Sequence, residues 1–171
     1  GLGDVYKRQK PLITIKEGKV AMAGKARGLP GAYVALFKKV EELGLGDLVK
    51  FTEYVPDEEI CPLMCGALAF VFPSIYEGFG LPPLEAMACG VPVLTTHAAS
   101  LPEVVGEDAV VADPYSPESI AAGLEQLYTD EALRQKLREA GPKRAAQFTW
   151  ERSAEQLYAV YQDCLLYTSP S

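Results

Sequence analysis

The chain has 171 residues, 49% of them hydrophobic and 23% charged, which is the composition of one water-soluble globular domain and excludes a second of full size. Lys and Arg number 16 against 23 Asp and Glu, a net charge of −7, so a surface built to neutralise nucleic-acid phosphates is excluded as well. No apolar run approaches the ~20 residues of a membrane-spanning helix and no signal peptide opens the chain, so the expected location is the cytoplasm.

The two ends, residues 1–10 with GLGDVYKRQ and 165–171 with LLYTSPS, continue no periodicity of their neighbours. They read as flanks foreign to the domain, like the scars that terminate some assembled environmental sequences, and leave residues 11–164 as the domain proper, itself part of a longer protein. Val20 to Ala23 is a short apolar run closed by Gly24, and Tyr33, Phe37, Val40 and Leu43 then recur at helical spacing until Gly44. Leu48 to Thr52 has strand character, Asp57 is placed to cap a helix reaching about Cys65, and Leu68 to Phe72 is wholly apolar, as in a strand covered on both faces. Val91 to Thr95 and Ala109 to Ala112 add two more strands. About five short strands separated by helices, with no hairpin dipeptide between them, predict a Rossmann-like α/β fold with a doubly wound parallel sheet.

From about residue 115 the pattern turns helical three times. Ser116 and Pro117 form a cap and first-turn pair ahead of the stripe Ile120, Leu124 and Leu127. Asp130 caps a second helix with Leu133 and Leu137 inward, which Gly141-Pro142 is expected to break or kink. A third follows Thr149, with Leu157, Val160 and Tyr161 on one side.

Four cysteines (Cys61, Cys65, Cys89 and Cys164) are too sparse for a secreted disulfide framework, so reduced thiols are expected. Cys61 and Cys65 share a helix face, but zinc takes four ligands and His97 is the single imidazole. The expectation is therefore small core residues and no metal.

The informative stretch begins at Leu68. A buried strand ends at Pro73, a loop runs from Ser74 to Gly80, Pro82 and Pro83 stand where a first helical turn tolerates a missing N–H, and Gly90 closes a short helix. The loop thus lies at the carboxyl end of a parallel strand and opens on a helix N-terminus, a place that favours anions, phosphate above all. Gly78 and Gly80 let the backbone approach a ligand closely. Glu77 and Glu85 bracket the loop, and a carboxylate is a good acceptor for the vicinal hydroxyls of sugars and riboses. Sugar at both ends of a phosphate describes a nucleotide sugar. The bland alternative is that Glu85, in a first turn, only complements the helix dipole and Glu77 is a solvated loop residue.

The segment PSIYEGFGLPPLEAMACGVPVL closely resembles the signature of the family 4 retaining glycosyltransferases, a Glu, seven residues and a Glu, here Glu77 and Glu85. KVAMAGKARG, LGLGDLVKFTEYVPDEEI, SLPEVVGEDAVVADPYSPESIA and FTWERSAEQLYAVY are also similar to stretches of that family's C-terminal half, so the resemblance covers about Lys19 to Gln162. It implies a two-domain GT-B enzyme of which this chain is the donor-binding half. By the same resemblance Glu85 binds the nucleotide ribose, Glu77 stands against the donor hexose as the catalytic carboxylate, and the backbone N–H groups of Gly78, Phe79, Gly80 and Leu81 meet sugar and diphosphate. Tyr54 and Val55 fall near the base. No metal or other cofactor is implied, and the substrate is a nucleotide sugar such as GDP-mannose or a UDP-hexose. The acceptor, a glycan or lipid-linked sugar, belongs to the N-terminal half, and the parent protein could touch a membrane peripherally.

Three departures stand out. The Arg and Lys with which the family neutralises the diphosphate have no counterpart before Lys19, since Lys10, Lys16 and Lys19 read as surface or flank and Lys25 follows the next strand. Glu53 stands where many relatives have Gly, and His97 where they often have Asn; a lone histidine at a strand end reads as packed or solvated. Two other functions compete. A glycosidase would need its two carboxyls roughly 5 to 9.5 Å apart across a sugar but has no use for a glycine loop at a helix N-terminus. A binding module without chemistry is the expectation for this chain by itself.

Overall fold

LITIK and KVAMA, rich in β-branched and apolar residues and separated only by Glu17 and Gly18, form the first two strands, β1 (Leu12–Lys16) and β2 (Lys19–Ala23). The computed structural model describes the backbone of residues 12–16, 19–23, 38–53 and 55–167, with side chains described for 38–52 and 55–164. Tyr33, Phe37, Gly24 and Lys25 lie outside the described residues, as do the flanks 1–10 and 168–171. The described end of a first helix (α1, residues 38–42) buries Val40 and stops at Gly44, whose φ is 65°. It is followed by β3 (Val49–Glu53) and α2 (Asp57–Cys65). Asp57 is the first helical residue of α2 rather than its cap; Pro56 holds the cap position and supplies no side-chain hydrogen bond.

The site-bearing unit comes next: β4 (Ala69–Val71), α3 (Leu81–Ala88) and β5 (Val93–Thr96). Then follow α4 (Leu101–Val105), β6 (Val110–Ala112), α5 (Pro117–Thr129), α6 (Glu131–Ala145) and α7 (Trp150–Tyr167). The strands make one six-stranded sheet in the order β3-β2-β1-β4-β5-β6. β2 and β3 are parallel, as are β4, β5 and β6, and β1 runs antiparallel to both β2 and β4. The expectation of a wholly parallel sheet is corrected at this one strand. A two-residue connection can join only antiparallel neighbours, whereas a parallel pair needs a crossover of a dozen or more residues. Reading Lys10, Lys16 and Lys19 as surface or flank, with no element assigned to the residues between them, left the strand unread.

Alternation along β4 and β5 builds a core on each face. Phe70, Phe72 and Val93 pack with Met64, Leu84, Met87, Leu101 and Val104 under α2, α3 and α4. Ala69, Val71 and Leu94 pack with Leu127 and Leu137 under α5 and α6. Each large side chain so buried contributes about 1.5–3 kcal/mol. The stripes expected on α5 and α6 face inward, with Leu127 and Leu137 buried and Ile120, Leu124 and Leu133 packed against them. Their caps form as well: Ser119 N–H donates to Ser116 Oγ (3.1 Å) and Leu133 N–H to Asp130 Oδ1 (2.8 Å).

Gly141-Pro142 does not end α6, which runs on to Ala145. Gly141 instead lets α6 press onto α3, since a Cβ there would lie 3.0 Å from the Met87 carbonyl oxygen. α7 differs from its predecessors: Thr149 Oγ1 accepts from Arg152 N–H (3.1 Å), but Leu157, Val160 and Tyr161, its expected inward side, are exposed. The described residues leave that face uncovered.

Candidate functional site

β4 is wholly buried, and its pairing with β5 continues one residue further, where Phe72 N–H donates to the Leu94 carbonyl (2.8 Å) before Pro73 turns the chain away. The loop after it is then pinned by three hydroxyls from the opposite side. Thr95 Oγ1 donates to the Phe72 carbonyl (3.1 Å) and Thr96 Oγ1 to that of Ser74 (2.6 Å). Ser100 Oγ reaches both the Glu77 carbonyl (3.1 Å) and the Phe79 carbonyl (2.9 Å). Thr95 and Thr96 are fully buried, so these bonds form where water competes little and each holds a loop carbonyl in place.

On this base the loop folds Glu77 inward, to 9% exposure, where its Oε1 accepts from the Gly78 N–H (3.3 Å). Phe79 is partly exposed and meets Phe148 edge-on, ring centroids 5.9 Å apart. Gly80 has φ 106°, in the left-handed region, and a Cβ there would lie 2.8 Å from Leu101 Cδ2. Glycine is required at this position both for its conformation and for its space. Gly78 faces open space, with nothing within 4 Å of where a Cβ would stand.

α3 starts directly from Gly80 with no side-chain cap, and Pro82 and Pro83 stand in its first turn. Two of the amides that normally point out of a helix start are thereby absent, and Leu84 N–H turns back to the Gly80 carbonyl (3.3 Å). Among the described residues the N–H groups of Phe79, Gly80 and Leu81 have no partner, and they lie at the positive end of the helix dipole. An oxyanion is their natural complement.

Glu85 is the fifth residue of α3, in its second turn, whereas the sequence reading put it in the first. The dipole effect fades beyond the first turn, so complementing the helix end does not account for this carboxylate. Its side chain is exposed, yet the surrounding protein removes enough water to push its pKa above the ordinary carboxylate value. The structure thus brings Glu77, Gly78, Phe79, Gly80 and Leu81 together in one loop with Glu85 one turn along the helix. Val55 is buried in the core beside Met64, and Tyr54 lies outside the described residues. His97, at the end of β5, is exposed with Nε2 3.8 Å from Asp113 Oδ1.

Sequence reasoning missed Thr95, Thr96 and Ser100, which act through loop carbonyls 21 to 23 residues away and leave no local spacing to read. It also misplaced most of the cysteines. Cys61, Cys65 and Cys164 are exposed, which corrects the expectation of core residues for them, while half-buried Cys89 packs against the core under α2, α3 and α4. Cys61 Sγ lies 3.7 Å from Cys65 Sγ and 3.6 Å from Cys89 Sγ, at the other end of α3 from the loop.

The chain is similar to several known proteins. Over 114 residues the chain is 45% identical to the O-antigen chain mannosyltransferase B of Escherichia coli, covering 67% of this chain and 30% of that protein. Over 132 residues it is 37% identical to the MMP alpha-(1->4)-mannosyltransferase of Mycolicibacterium hassiacum, covering 75% and 32%. The chain thus spans about a third of the length of these relatives. Among solved structures, the sucrose-phosphate synthase of Thermosynechococcus elongatus superposes with a TM-score of 0.72 at 28% identity, over 86% of this chain and 38% of that one. The C-terminal domain of a glycosyl transferase group 1 family protein (LpcC) from Francisella tularensis superposes with a TM-score of 0.62 at 31% identity, over 70% and 63%. The family model for glycosyl transferases group 1 matches residues 12–144, and with the loop, α3 and sheet order in place the chain belongs to that family, as the C-terminal half of a GT-B glycosyltransferase.

Proposed function

We propose that this chain is the donor-binding half of a retaining hexosyltransferase, which moves a hexose from a nucleoside diphosphate sugar to a sugar or lipid-linked acceptor. The observation that carries the reading is the set of bare amides at Phe79, Gly80 and Leu81, at a helix start whose first turn holds two prolines, with a carboxylate on either side. Those amides suit the diphosphate and sugar, the Glu85 carboxylate accepts from the ribose hydroxyls, and buried Glu77 faces the hexose. As the bond from the anomeric carbon to the diphosphate breaks, the departing oxygen takes up negative charge beside fixed N–H donors. It then receives the proton of the acceptor hydroxyl that attacks from the same face. Glu77 positions the donor and is not itself the nucleophile, and no step in this scheme needs a metal.

Mannose is the first choice of hexose because two of the relatives named above are mannosyltransferases, and GDP-mannose is the first choice of donor on the family resemblance; UDP-hexoses come next. The acceptor site, on this reading, lies in an N-terminal half, and the 171 residues alone hold the donor without turning it over. The test is transfer by the full-length gene product, with the anomeric configuration of the product followed by NMR. Retention, with a donor KM raised at least about tenfold by Glu85→Ala, is expected; inversion, or sugar release from a glycoside without any nucleotide, would overturn the assignment.

A further inference from the structure

At the far end of α3 from the loop, three thiols from two helices converge. Cys61 and Cys65 stand one turn apart on α2, Cys89 caps the C-terminus of α3, and their three sulfurs all lie within 4.8 Å of one another. Zinc held tetrahedrally with Zn–S of about 2.3 Å puts neighbouring sulfurs about 3.8 Å apart. The separations here, 3.7 Å for Cys61–Cys65 and 3.6 Å for Cys61–Cys89, are close to that spacing. Free cysteines are ordinarily among the most buried side chains, yet Cys61 and Cys65 are exposed and Cys89 is half-buried. An ion could therefore reach them from solvent without any opening of the core.

The surrounding backbone also favours a cation. α2 ends at Cys65 and α3 at Ala88, so the negative ends of two helix dipoles meet at the thiols, and neither helix has a basic residue in its last turn to answer that charge. With no cation present, three thiolates so close together would repel. Soft thiolate donors in a three-sulfur set select Zn2+ over Ca2+ or Mg2+, which take oxygen ligands.

We propose that Cys61, Cys65 and Cys89 form a three-thiolate zinc site with water in the fourth position, clamping the C-terminus of α3 to α2. Each thiol gives its proton to solvent as its sulfur binds the ion. The eight residues of α3 separate the site from the Gly80 end by about 12 Å, so the ion takes no part in chemistry at the loop. Its effect is on stability, because an ion bound only by the folded chain shifts unfolding in its favour.

The experiment is titration of the reduced 171-residue chain with Zn2+, and with Co2+ as a spectroscopic substitute, followed by thiol counting with a chromogenic disulfide. One ion per chain, sulfur-to-cobalt charge-transfer absorption and protection of three of the four thiols are expected. Cys89→Ser and Cys61→Ser should each weaken binding about a hundredfold or more, and Cys164→Ser should leave it unchanged. Circular dichroism of each variant confirms that the fold is kept. Four equally reactive thiols in the presence of Zn2+, or binding indifferent to Cys89→Ser, would overturn the proposal.

Discussion

One short helix, α3, carries two sites of opposite polarity. At its start Gly80 and the bare amides of Phe79 and Leu81 offer donors to an anion; at its end Cys89 joins two further thiols in offering sulfur to a cation. The helix dipole runs from one to the other, so each end attracts the charge that suits it. Their supports differ in kind. The anion end is tied down by the hydroxyls of buried Thr95 and Thr96 and half-buried Ser100 on backbone carbonyls, whereas the thiol end is open to solvent and has no basic residue in the last turn of either helix. A preorganised loop suits a substrate that must come and go, and a bare thiol cluster suits an ion that stays.

The comparison can be broken first at Gly80. Gly80→Ala puts a Cβ at a left-handed φ and against Leu101, and should cost about 1–3 kcal/mol in urea unfolding while weakening nucleotide binding and leaving the thiol end unaltered. Loss of zinc affinity in that variant would show that the two ends are not independent. Gly141→Ala tests the middle of the helix. It adds helix propensity to α6 but forces a Cβ to 3.0 Å from the Met87 carbonyl oxygen, so a net loss of about 1 kcal/mol is expected, and a gain would mean that α6 shifts freely on α3. Ser100→Ala removes the hydroxyl shared by the Glu77 and Phe79 carbonyls. It should destabilise by about 1 kcal/mol and raise the nucleotide Kd several-fold, because the loop loses its pin without losing any group that touches ligand.

The smallest effect concerns charge. Desolvation by the surrounding protein raises the pKa of Glu85 in the folded chain, so the favourable contribution is present below the unfolded carboxylate value and is lost as pH rises through the raised one. Glu85→Gln, which does not titrate, should therefore gain stability relative to the parent between about pH 4 and neutrality, read as a difference in urea midpoints. A difference that does not vary with pH would contradict the assigned cause.

The two ends of α3 also differ in how far they can be read from sequence. The loop end is written contiguously: an apolar strand, Pro73, a glycine pair and two prolines leave little choice of local structure between Phe72 and Glu85. The thiol end depends on how α2 packs against α3, and Cys89 lies 28 residues from Cys61, so a rule based on spacing pairs Cys61 with Cys65 and stops there. β1 escaped notice because LITIK lies beside a foreign-looking flank, and its antiparallel direction follows from a turn too short for a crossover. α6 runs through Gly141-Pro142 to Ala145, and the close approach to Met87, which leaves no room for a side chain at that point, accounts for the glycine. The exposed face of α7 shows the converse: apolar periodicity identifies the helix but not whether anything described covers it.

The measurement that bears most directly on the central claim is calorimetric titration of this chain with GDP, UDP and ADP in metal-free buffer, repeated with Glu85→Ala. The account predicts saturable micromolar to low-millimolar binding of one nucleotide, about tenfold or more weaker in the variant. Equal binding of a nucleotide by both proteins, or none by a well-folded chain, would contradict the donor site placed at the loop and α3.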